Sequence, residues 1–419
     1  MKRLSLIILC FTILVSCDST PGNEKDLLLT LMKQSPDQFA RIITAKDSLE
    51  VQIIYTQIDR DENNVPAFRS YYFNVDSARY FYPASTVKFP LCLLALEKIN
   101  RLKIVGLDKY TPVFHDSVYA GQKSVKLDTT SESGLPSIAH YIKKILTVSD
   151  NDAYNRLYEF MGQKATNDIL NEKGYNVRFL HRLERALSPD QNRHTEKVRF
   201  VKDNSIVFEQ PMLVNEDSIK APAVALRGMG YYKNDTILVQ QPFDFTYKNF
   251  YSLADQQKIL RTVLFPESVD SINRFNLTDE DYKFLYQYMS QLPAETTNPA
   301  YYKDPYYYDA YCKFLIYGKS KERIPDHIRI FNKVGDAYGY LLDNAYVVDF
   351  KNGVEFMLSA VVNVNTDGVY NDGKYDYETI GYPFFRNLGQ LIYTYELERP
   401  RSYKPDLSQF QLEYDRVRP

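Results

Sequence analysis

Hydrophobic and polar residues along the 419-residue chain alternate in patterns that predict strands near both ends. Early in the chain, residues 51–58 and 67–74 are rich in β-branched and aromatic residues and flank a polar turn, which is typical of a β-hairpin. Residues 328–335, 344–350 and 354–364 form three similar runs separated by short turns. The pattern therefore predicts two early strands and three late ones.

Around these strands, apolar residues recur at helical spacing. The predicted helices are 26–45 (interrupted at Pro36), 85–98, 137–146, 167–174, 256–264, 278–292 and 382–395. The long middle part, residues 189–325, has the weakest periodicity and predicts little beyond two of these helices. The residues from Arg399 onward are polar, and we expect them to be loosely held.

The first 17 residues are predicted to be a targeting segment. Lys2 and Arg3 precede a short apolar run that ends in Leu-Val-Ser-Cys17, which resembles a bacterial lipobox. We expect residues 1–17 to be a lipoprotein signal peptide with Cys17 as the acylated residue, and the polar residues 18–25 to be a tether. The alternative is an ordinary secretory signal with an incidental cysteine. With the lipoprotein signal, the chain is expected in the bacterial cell envelope, lipid-anchored to a membrane facing the periplasm or the cell surface and with no other membrane contact.

Composition excludes several classes of partner. The formal net charge is −2, so no nucleic-acid or polyacid partner is implied. The five histidines show no metal-ligand spacing, and there is no glycine-rich phosphate loop, so we expect no metal and no cofactor. Cys92 and Cys312 either form a disulfide, as exported proteins allow, or remain two buried free thiols.

Ser85 and Lys88 are the first candidate for chemistry. They lie one turn apart at the start of an apolar helix, so the amine of Lys88 can reach the serine hydroxyl and activate it as a nucleophile. The alternative is a helix-capping serine followed by a surface lysine.

Two further polar sets lie downstream. Ser149 and Asn151 fall between two apolar helical runs, where both side chains can project into a cleft. The alternative is that Ser149 or Asp150 caps the second helix. Lys333 and Gly335 end a predicted strand, where an ammonium beside open backbone N–H groups suits an anionic group or an oxyanion. An edge-strand lysine before a turn is the alternative.

Taken in order, residues 85–88 (Ser-Thr-Val-Lys), 149–151 (Ser-Asp-Asn) and 333–335 (Lys-Val-Gly) resemble the three motifs of the penicillin-recognising serine hydrolases. The flanking residues 82–84 and 152–155 are similar to those of the class A β-lactamases. This resemblance implies that Ser85 attacks a carbonyl and forms an acyl-enzyme. Lys88 would take the serine's proton or share that task, and Ser149 would relay a proton to the leaving nitrogen.

The resemblance also implies how the substrate is held. Asn151 would hold the substrate's amide side chain, and Lys333 would bind its carboxylate. The backbone N–H groups of Ser85 and of Asp336, which follows Gly335, would form the oxyanion hole.

Two departures from the family pattern bear on the reaction. Val334 replaces the usual Thr or Ser of the third motif and cannot donate to a carboxylate. Residues 182–188 match the family's water-activating loop only in part, with Ser188 for the usual Asn and no Pro after Glu184. Glu184 is therefore either the base for deacylation or a surface residue paired with an arginine.

The resemblance covers roughly residues 26–185 and 326–398. It implies an α+β fold, the three-layer sandwich of the β-lactamase/transpeptidase type, within a catalytic domain at 26–398. Residues 26–80 and 326–398 would form a five-stranded antiparallel sheet with flanking helices. Residues 81–325 would form an all-helical lobe with an insertion around 195–325, and 399–419 would be a tail.

These features predict an exported, monomeric serine hydrolase whose small-molecule substrate is by default a β-lactam. A peptidoglycan DD-peptidase or an esterase on the same site is the first rival, which Val334 and the incomplete glutamate loop favour. A catalytically silent binding lipoprotein is the second, and it would not need Ser85, Lys88, Ser149 and Lys333 together.

Overall fold

The computed structural model describes residues 27–217 and 224–418 of the chain. The predicted signal peptide, the tether and Cys17 lie outside these residues. No helix in the described part combines the length and the apolar content that a membrane crossing requires.

The secondary structure follows the predicted order. The helices are α1 Leu27–Lys33, α2 Pro36–Thr44, α3 Lys88–Leu102, α4 Ile138–Val148, α5 Asn151–Met161, α6 Gln163–Glu172, α7 Pro189–Arg193, α8 Leu253–Leu264, α9 Asp279–Ser290 and α10 Tyr382–Glu398. The strands are β1 Gln52–Arg60, β2 Pro66–Phe73, β3 Val113–Asp116, β4 Val177–Arg178, β5 Lys197–Lys202, β6 Ser205–Gln210, β7 Leu226–Arg227, β8 Gly230–Lys233, β9 Ile237–Val239, β10 Phe243–Asp244, β11 Phe250–Tyr251, β12 Ile328–Ala337, β13 Tyr340–Asp349, β14 Val354–Asn363 and β15 Val369–Tyr370. Single turns of 3-10 helix lie at Ala84–Val87, Pro266–Ser268, Ser271–Asn273, Pro293–Glu295, Tyr301–Lys303, Asp309–Cys312 and Ser408–Phe410, and a π-helical turn, Tyr377–Gly381, precedes α10.

The central sheet has five strands in the order β12-β13-β14-β1-β2, and each pair of adjacent strands is antiparallel. The early hairpin joins the three late strands where β1 pairs with β14, with Ile53 opposite Ala360. This sheet, with helices packed on it, confirms the predicted α+β class.

The two faces of the sheet pack against different layers, as the alternation along β12 shows. Ile328, Ile330 and Val334 belong to the apolar layer between the sheet and the terminal helices α1, α2 and α10. Phe331 points to the other face, into the core of the helical lobe. Successive strand residues face opposite sides, so Lys333 shares the face of Phe331 and is directed toward the lobe.

The helical lobe is organised around α3. This helix is apolar on nearly all sides and almost completely buried, as expected for a helix inside a large core. It packs against α4 and α5, whose facing residues belong to the same cluster.

The prediction of an all-helical lobe requires a correction, because residues 113–251 also form short strands. β3, β5 and β6 make a three-stranded antiparallel sheet. The turn between β5 and β6 places Asp203 and Asn204 at φ 49° and 60°, the left-handed backbone that tight hairpins use. Strands this short carry too little periodicity to be seen in the sequence.

The insertion pairs with the segment that follows the last strand of the central sheet. β8 pairs with β9 and, in parallel, with β15, which follows β14. Gly228 approaches this region so closely that a Cβ on it would lie 2.3 Å from the carbonyl oxygen of Gly368. Only glycine fits there, so the insertion is held against the segment after β14.

The C-terminal tail also differs from its prediction. Phe410 is fully buried among aromatic rings, and Leu407 is buried in the same core cluster. Arg418 is buried and pairs with Glu295 and Asp309. Leu407 and Phe410 thus anchor a segment that its average polarity predicts to be loosely held.

Candidate active site

Ser85 lies in the 3-10 turn Ala84–Val87, which leads directly into α3. The preceding Ala84 has φ 46°, a strained backbone for a residue with a side chain. Ser85 makes no capping hydrogen bond to this turn, and Lys88, the first residue of α3, is completely buried. The alternative of a capping serine and a surface lysine is therefore excluded.

The first and second motifs meet at the amine of Lys88. Its Nζ donates to the carbonyl oxygen of Ser149 and to Oδ1 of Asn151, and it lies 3.3 Å from Oγ of Ser149. Asp150 takes the capping role, because its side chain accepts from the N–H of Ala153 at 2.7 Å. Ser149, at φ 63° after α4, is thereby free to face the lysine.

The third motif reaches the same serine. Nζ of Lys333 donates to Oγ of Ser149 at 2.7 Å and to the carbonyl oxygen of Val334 at 2.8 Å. The side-chain nitrogens of Lys88 and Lys333 thus converge on one hydroxyl, from the helix and from the sheet. The alternative of an exposed edge-strand lysine is excluded, because Lys333 is buried although β12 is an edge strand.

The pKa values of both lysines lie below their usual range. Burial, and next the charge of Lys333, lower the pKa of Lys88 well below its usual value. Burial also lowers the pKa of Lys333. A lysine that titrates below its normal range can hold a neutral amine, and a neutral amine can accept a proton from a serine.

Gly335 brings the end of β12 against the nucleophile. A Cβ on Gly335 would lie 2.9 Å from the carbonyl oxygen of Pro83 and 3.1 Å from the amide nitrogen of Ser85. The backbone of residues 335–336 therefore runs next to the amide of Ser85. This is the neighbourhood in which the oxyanion hole was predicted.

A cleft of about 400 Å³ opens over Ser85. Several of its lining residues belong to the motifs visible in the sequence: Ser85, Asn151, Glu184 and Asp336. Other lining residues carried no functional signal in the sequence: Leu183, Asp235, Ala337, Tyr338, Asn371, Gly373 and Tyr375. Most of these come from the insertion and from the segment after β14. Their approach to Ser85 depends on tertiary structure, so no spacing rule could have found them.

Glu184 lies at the edge of this cleft. It is exposed and has φ 50°, a strained conformation directly after the buried Leu183. Asn155 fixes the backbone at Leu183 with two bonds of 3.0 Å, one to its carbonyl oxygen and one from its N–H. The structure thus holds Leu183 rather than Glu184 firmly against the cleft, and catalysis by Glu184 stays a prediction. The nearby Arg182 pairs with Glu159, so Glu184 is not its ion-pair partner.

Cys92 and Cys312 are both buried and free, so they do not form a disulfide. Across residues 27–217 and 224–418, no group of three or more His, Cys, Asp and Glu side chains is placed to hold a metal ion.

Comparison with models of known protein families gives a match for part of the chain. Residues 35–205 match the family model described as the beta-lactamase enzyme family. The match covers less than half of the chain but includes Ser85, Lys88, Ser149, Asn151 and Glu184. No curated protein matches the sequence.

Solved structures show a low overall similarity. A beta-lactamase from Sphaerobacter thermophilus DSM 20745 has a TM-score of 0.46 at 12% identity, covering 87% of this chain and 97% of that one. A beta-lactamase from Chitinophaga pinensis DSM 2588 has a TM-score of 0.47 at 10% identity, covering 86% and 99%. The penicillin-binding protein PBP-A, in a mutant form as an acyl-enzyme complex with penicillin G, has a TM-score of 0.46 at 14% identity, covering 88% and 96%.

Proposed function

We propose that this protein is an exported serine hydrolase that acts by acyl-serine transfer, with a β-lactam as its substrate. The observation that carries the proposal is the convergence of Lys88 and Lys333 on the hydroxyl of Ser149, beside the cleft that holds Ser85. A protein that only binds a ligand has no need to bury two amines around one serine, because burying each cation is costly. The match of residues 35–205 to the beta-lactamase enzyme family supports the same reaction.

The proposed chemistry follows from these contacts. Lys88, as a neutral amine, takes the proton of the Ser85 hydroxyl while Oγ bonds to the carbonyl carbon of the lactam. The backbone N–H groups of Ser85 and Asp336, next to Gly335, stabilise the negative charge that develops on the carbonyl oxygen. When the C–N bond breaks, the proton that Lys88 took passes through the hydroxyl of Ser149 to the leaving nitrogen. Water then hydrolyses the ester and frees Ser85.

A second candidate function is acylation without efficient hydrolysis, as in a penicillin-binding protein or a peptidase. The specific observation that favours it is the arrangement at residues 183–184. Asn155 holds the apolar Leu183 at the cleft, while Glu184 is exposed and makes no hydrogen bond or ion pair to any described residue. A general base needs to be held within hydrogen-bond reach of its water.

Intact-mass spectrometry of the purified protein mixed with a penicillin and with a chromogenic cephalosporin distinguishes the candidates. Turnover that disappears in Ser85→Ala is expected for the first function. A stable adduct on Ser85 without turnover would support the second. If neither drug leaves an adduct or is consumed, the β-lactam proposal fails, and a broad serine-reactive probe would then separate an esterase from a silent binder.

We further propose that the protein is attached to the cell envelope through an acylated Cys17. Metabolic labelling with an alkyne fatty acid is expected to mark the wild-type protein and not Cys17→Ser. Labelling that persists in Cys17→Ser would contradict the anchor while leaving the catalytic proposal intact.

A further inference from the structure

The charged side chains that line the cleft over Ser85 are all acidic. Glu184, Asp235 and Asp336 contribute three carboxylates, and all three residues are exposed to solvent. Among the described residues, no lysine, arginine or histidine lines this cleft. The acids come from separate elements: the segment after Leu183, the turn between β8 and β9, and the end of β12. The fold therefore gathers them around the nucleophile, although they are far apart in sequence.

These three carboxylates lack a neutralising partner. Within residues 27–217 and 224–418, none of the three takes part in an ion pair or accepts a hydrogen bond. Lys88 and Lys333 are buried and do not line the cleft. Their side-chain nitrogens bond to oxygens of the protein itself. The negative charge of the lining is therefore available to a ligand.

The carboxyl of Asp336 shows the effect of this missing charge. It reaches the solvent in the cleft, but the protein around it partly desolvates it and raises its pKa, although the charges of Lys333 and Lys88 act to lower it. The charge of Glu184 adds to the increase in pKa. Asp336 and Glu184 are thus close enough to repel each other. A cation placed near both carboxylates would be attracted by both.

Tyr82 provides a second kind of unused polar group in the same cleft. Only 3% of the residue is exposed, and its ring lies 5.1 Å from that of Tyr338, which also lines the cleft. Its hydroxyl makes no hydrogen bond to any described residue. Burial raises the pKa of Tyr82, so the hydroxyl stays protonated. A buried hydroxyl of this kind needs a partner, its oxygen can accept from an ammonium N–H, and tyrosine rings also attract cations.

We propose that the cleft selects acyl donors that carry an ammonium group a few bonds from the reacting carbonyl. The ammonium would lie near Asp336 and Glu184 and donate to the hydroxyl of Tyr82, while Ser85 reacts with the carbonyl. Asp235 would add to the same attraction. The inference rests on the proposed acyl-serine chemistry and specifies the charge that the side chain of the donor carries. An anionic side chain at the same place would be repelled.

Three penicillins that differ at one carbon atom test the preference. Benzylpenicillin, ampicillin and carbenicillin share the bicyclic nucleus, its carboxylate and the phenyl ring. The carbon next to the phenyl ring carries only hydrogen in the first, an amine in the second and a carboxyl group in the third. At about pH 6 the amine is protonated and the carboxyl group is ionised.

The measurement is the second-order rate of Ser85 acylation, obtained by quenching at short times and intact-mass spectrometry. Because it precedes hydrolysis, this rate does not depend on the base that activates water. We expect ampicillin to react roughly threefold to tenfold faster than benzylpenicillin, as for a partly exposed ion pair. Carbenicillin should react more slowly than benzylpenicillin by a similar factor.

Variants assign the preference to the lining. The double variant Asp336→Asn/Glu184→Gln is expected to bring the ampicillin-to-benzylpenicillin ratio close to one, and Tyr82→Phe should lower the ratio in part. Each ratio compares two donors on one protein, so a general loss of activity cancels. The matched control is Glu62→Gln, an exposed carboxylate in the turn between β1 and β2, which should leave the ratio unchanged.

Two outcomes overturn the inference, and they are distinguishable. If the three penicillins acylate Ser85 at equal rates, or if the double variant keeps the full ratio, the cleft does not select the charge of the donor although the acyl-serine function stands. If none of the penicillins leaves an adduct on Ser85 or is consumed, the proposed function fails and this inference fails with it.

Discussion

At the level of single residues, the site depends on two buried lysines whose side-chain nitrogens share one hydroxyl partner. The hydroxyl of Ser149 accepts from Lys333 and lies beside the amine of Lys88. Burial, and next the charge of Lys333, make the charged state of Lys88 less favourable. The cheapest arrangement is one ammonium and one neutral amine. That division would provide an anion-binding cation and a proton acceptor in the same small volume.

The first prediction concerns the pH dependence of Ser85 acylation. Lys88 can accept a proton only when neutral, so the acylation rate is expected to rise with pH through the lowered pKa of Lys88. Lys333→Gln removes the charge that, after burial, depresses this pKa, so the pKa of Lys88 increases and the rising limb moves to higher pH. The measurement is the second-order acylation rate against pH, followed by intact mass.

Loss of substrate binding in Lys333→Gln would lower the whole profile without moving the limb, so the position of the limb is the informative quantity. Lys351→Gln, an exposed lysine, is the control and should keep the wild-type profile. A limb that stays in place in Lys333→Gln would show that Lys88 is not the group being titrated.

The position of the Val334 side chain could not be predicted from the sequence. From the sequence, Val334 is interpreted as a lost substrate ligand, because related motifs have a hydroxyl there. In the structure its side chain is buried in the apolar layer under the terminal helices and does not line the cleft. Strand alternation predicts that Lys333 and Val334 face opposite sides, but deciding which side holds the cleft required the packed sheet.

At the scale of elements, the site exists where the edge strand β12 lies against the turn that carries Ser85. Strand and turn can approach this closely because residue 335 has no side chain. We predict that Gly335→Ala forces them apart, since its Cβ would be 2.9 Å from the backbone oxygen of Pro83. Overpacking of this kind costs about 1–3 kcal/mol of stability. A displaced Ser85 amide should also reduce the acylation rate at least about tenfold.

Acylation followed by intact mass, with circular dichroism to show that the variant is folded, checks this prediction. Full acylation in a folded Gly335→Ala protein would mean that the contact between strand and turn is adjustable and does not position the nucleophile.

Elements differed in how well the sequence predicted them. The five long strands and the helix after Ser85 were predictable, because long runs of β-branched and aromatic residues mark the strands and apolar residues at helical spacing mark the helix. The strands of residues 113–251 have two to six residues each and are defined by pairing between distant segments. The same limit applies to the site. The three motifs were visible as local patterns, whereas Asp235 of the insertion and Asn371 and Tyr375 after β14 reach the cleft only through the tertiary fold.

At the scale of the whole molecule, the C-terminal tail links the sheet to the helical lobe. The ring of Phe410 lies 5.3 Å from that of Phe331 on β12 and 5.5 Å from that of Tyr286 on α9. Further along, Asp415 accepts from Lys143 on α4 at 2.5 Å. The tail thus packs against the strand that carries Lys333, on the face that Phe331 and Lys333 share, through residues that are far from Ser85 in sequence.

The last prediction follows from this linkage. Phe410→Ala removes a fully buried ring from a cluster that also includes Tyr346 and Phe265, and is expected to lower the free energy of unfolding by about 3–5 kcal/mol. Chemical denaturation measures the loss, and Tyr403→Ala in the same tail, at 46% exposure, is the control and should cost under about 0.5 kcal/mol. If Phe410→Ala costs no more than the control, the tail is only attached to the surface. If it costs the full amount while the folded fraction still acylates Ser85 at the wild-type rate, the tail contributes to the stability of the molecule and not to the geometry of its site.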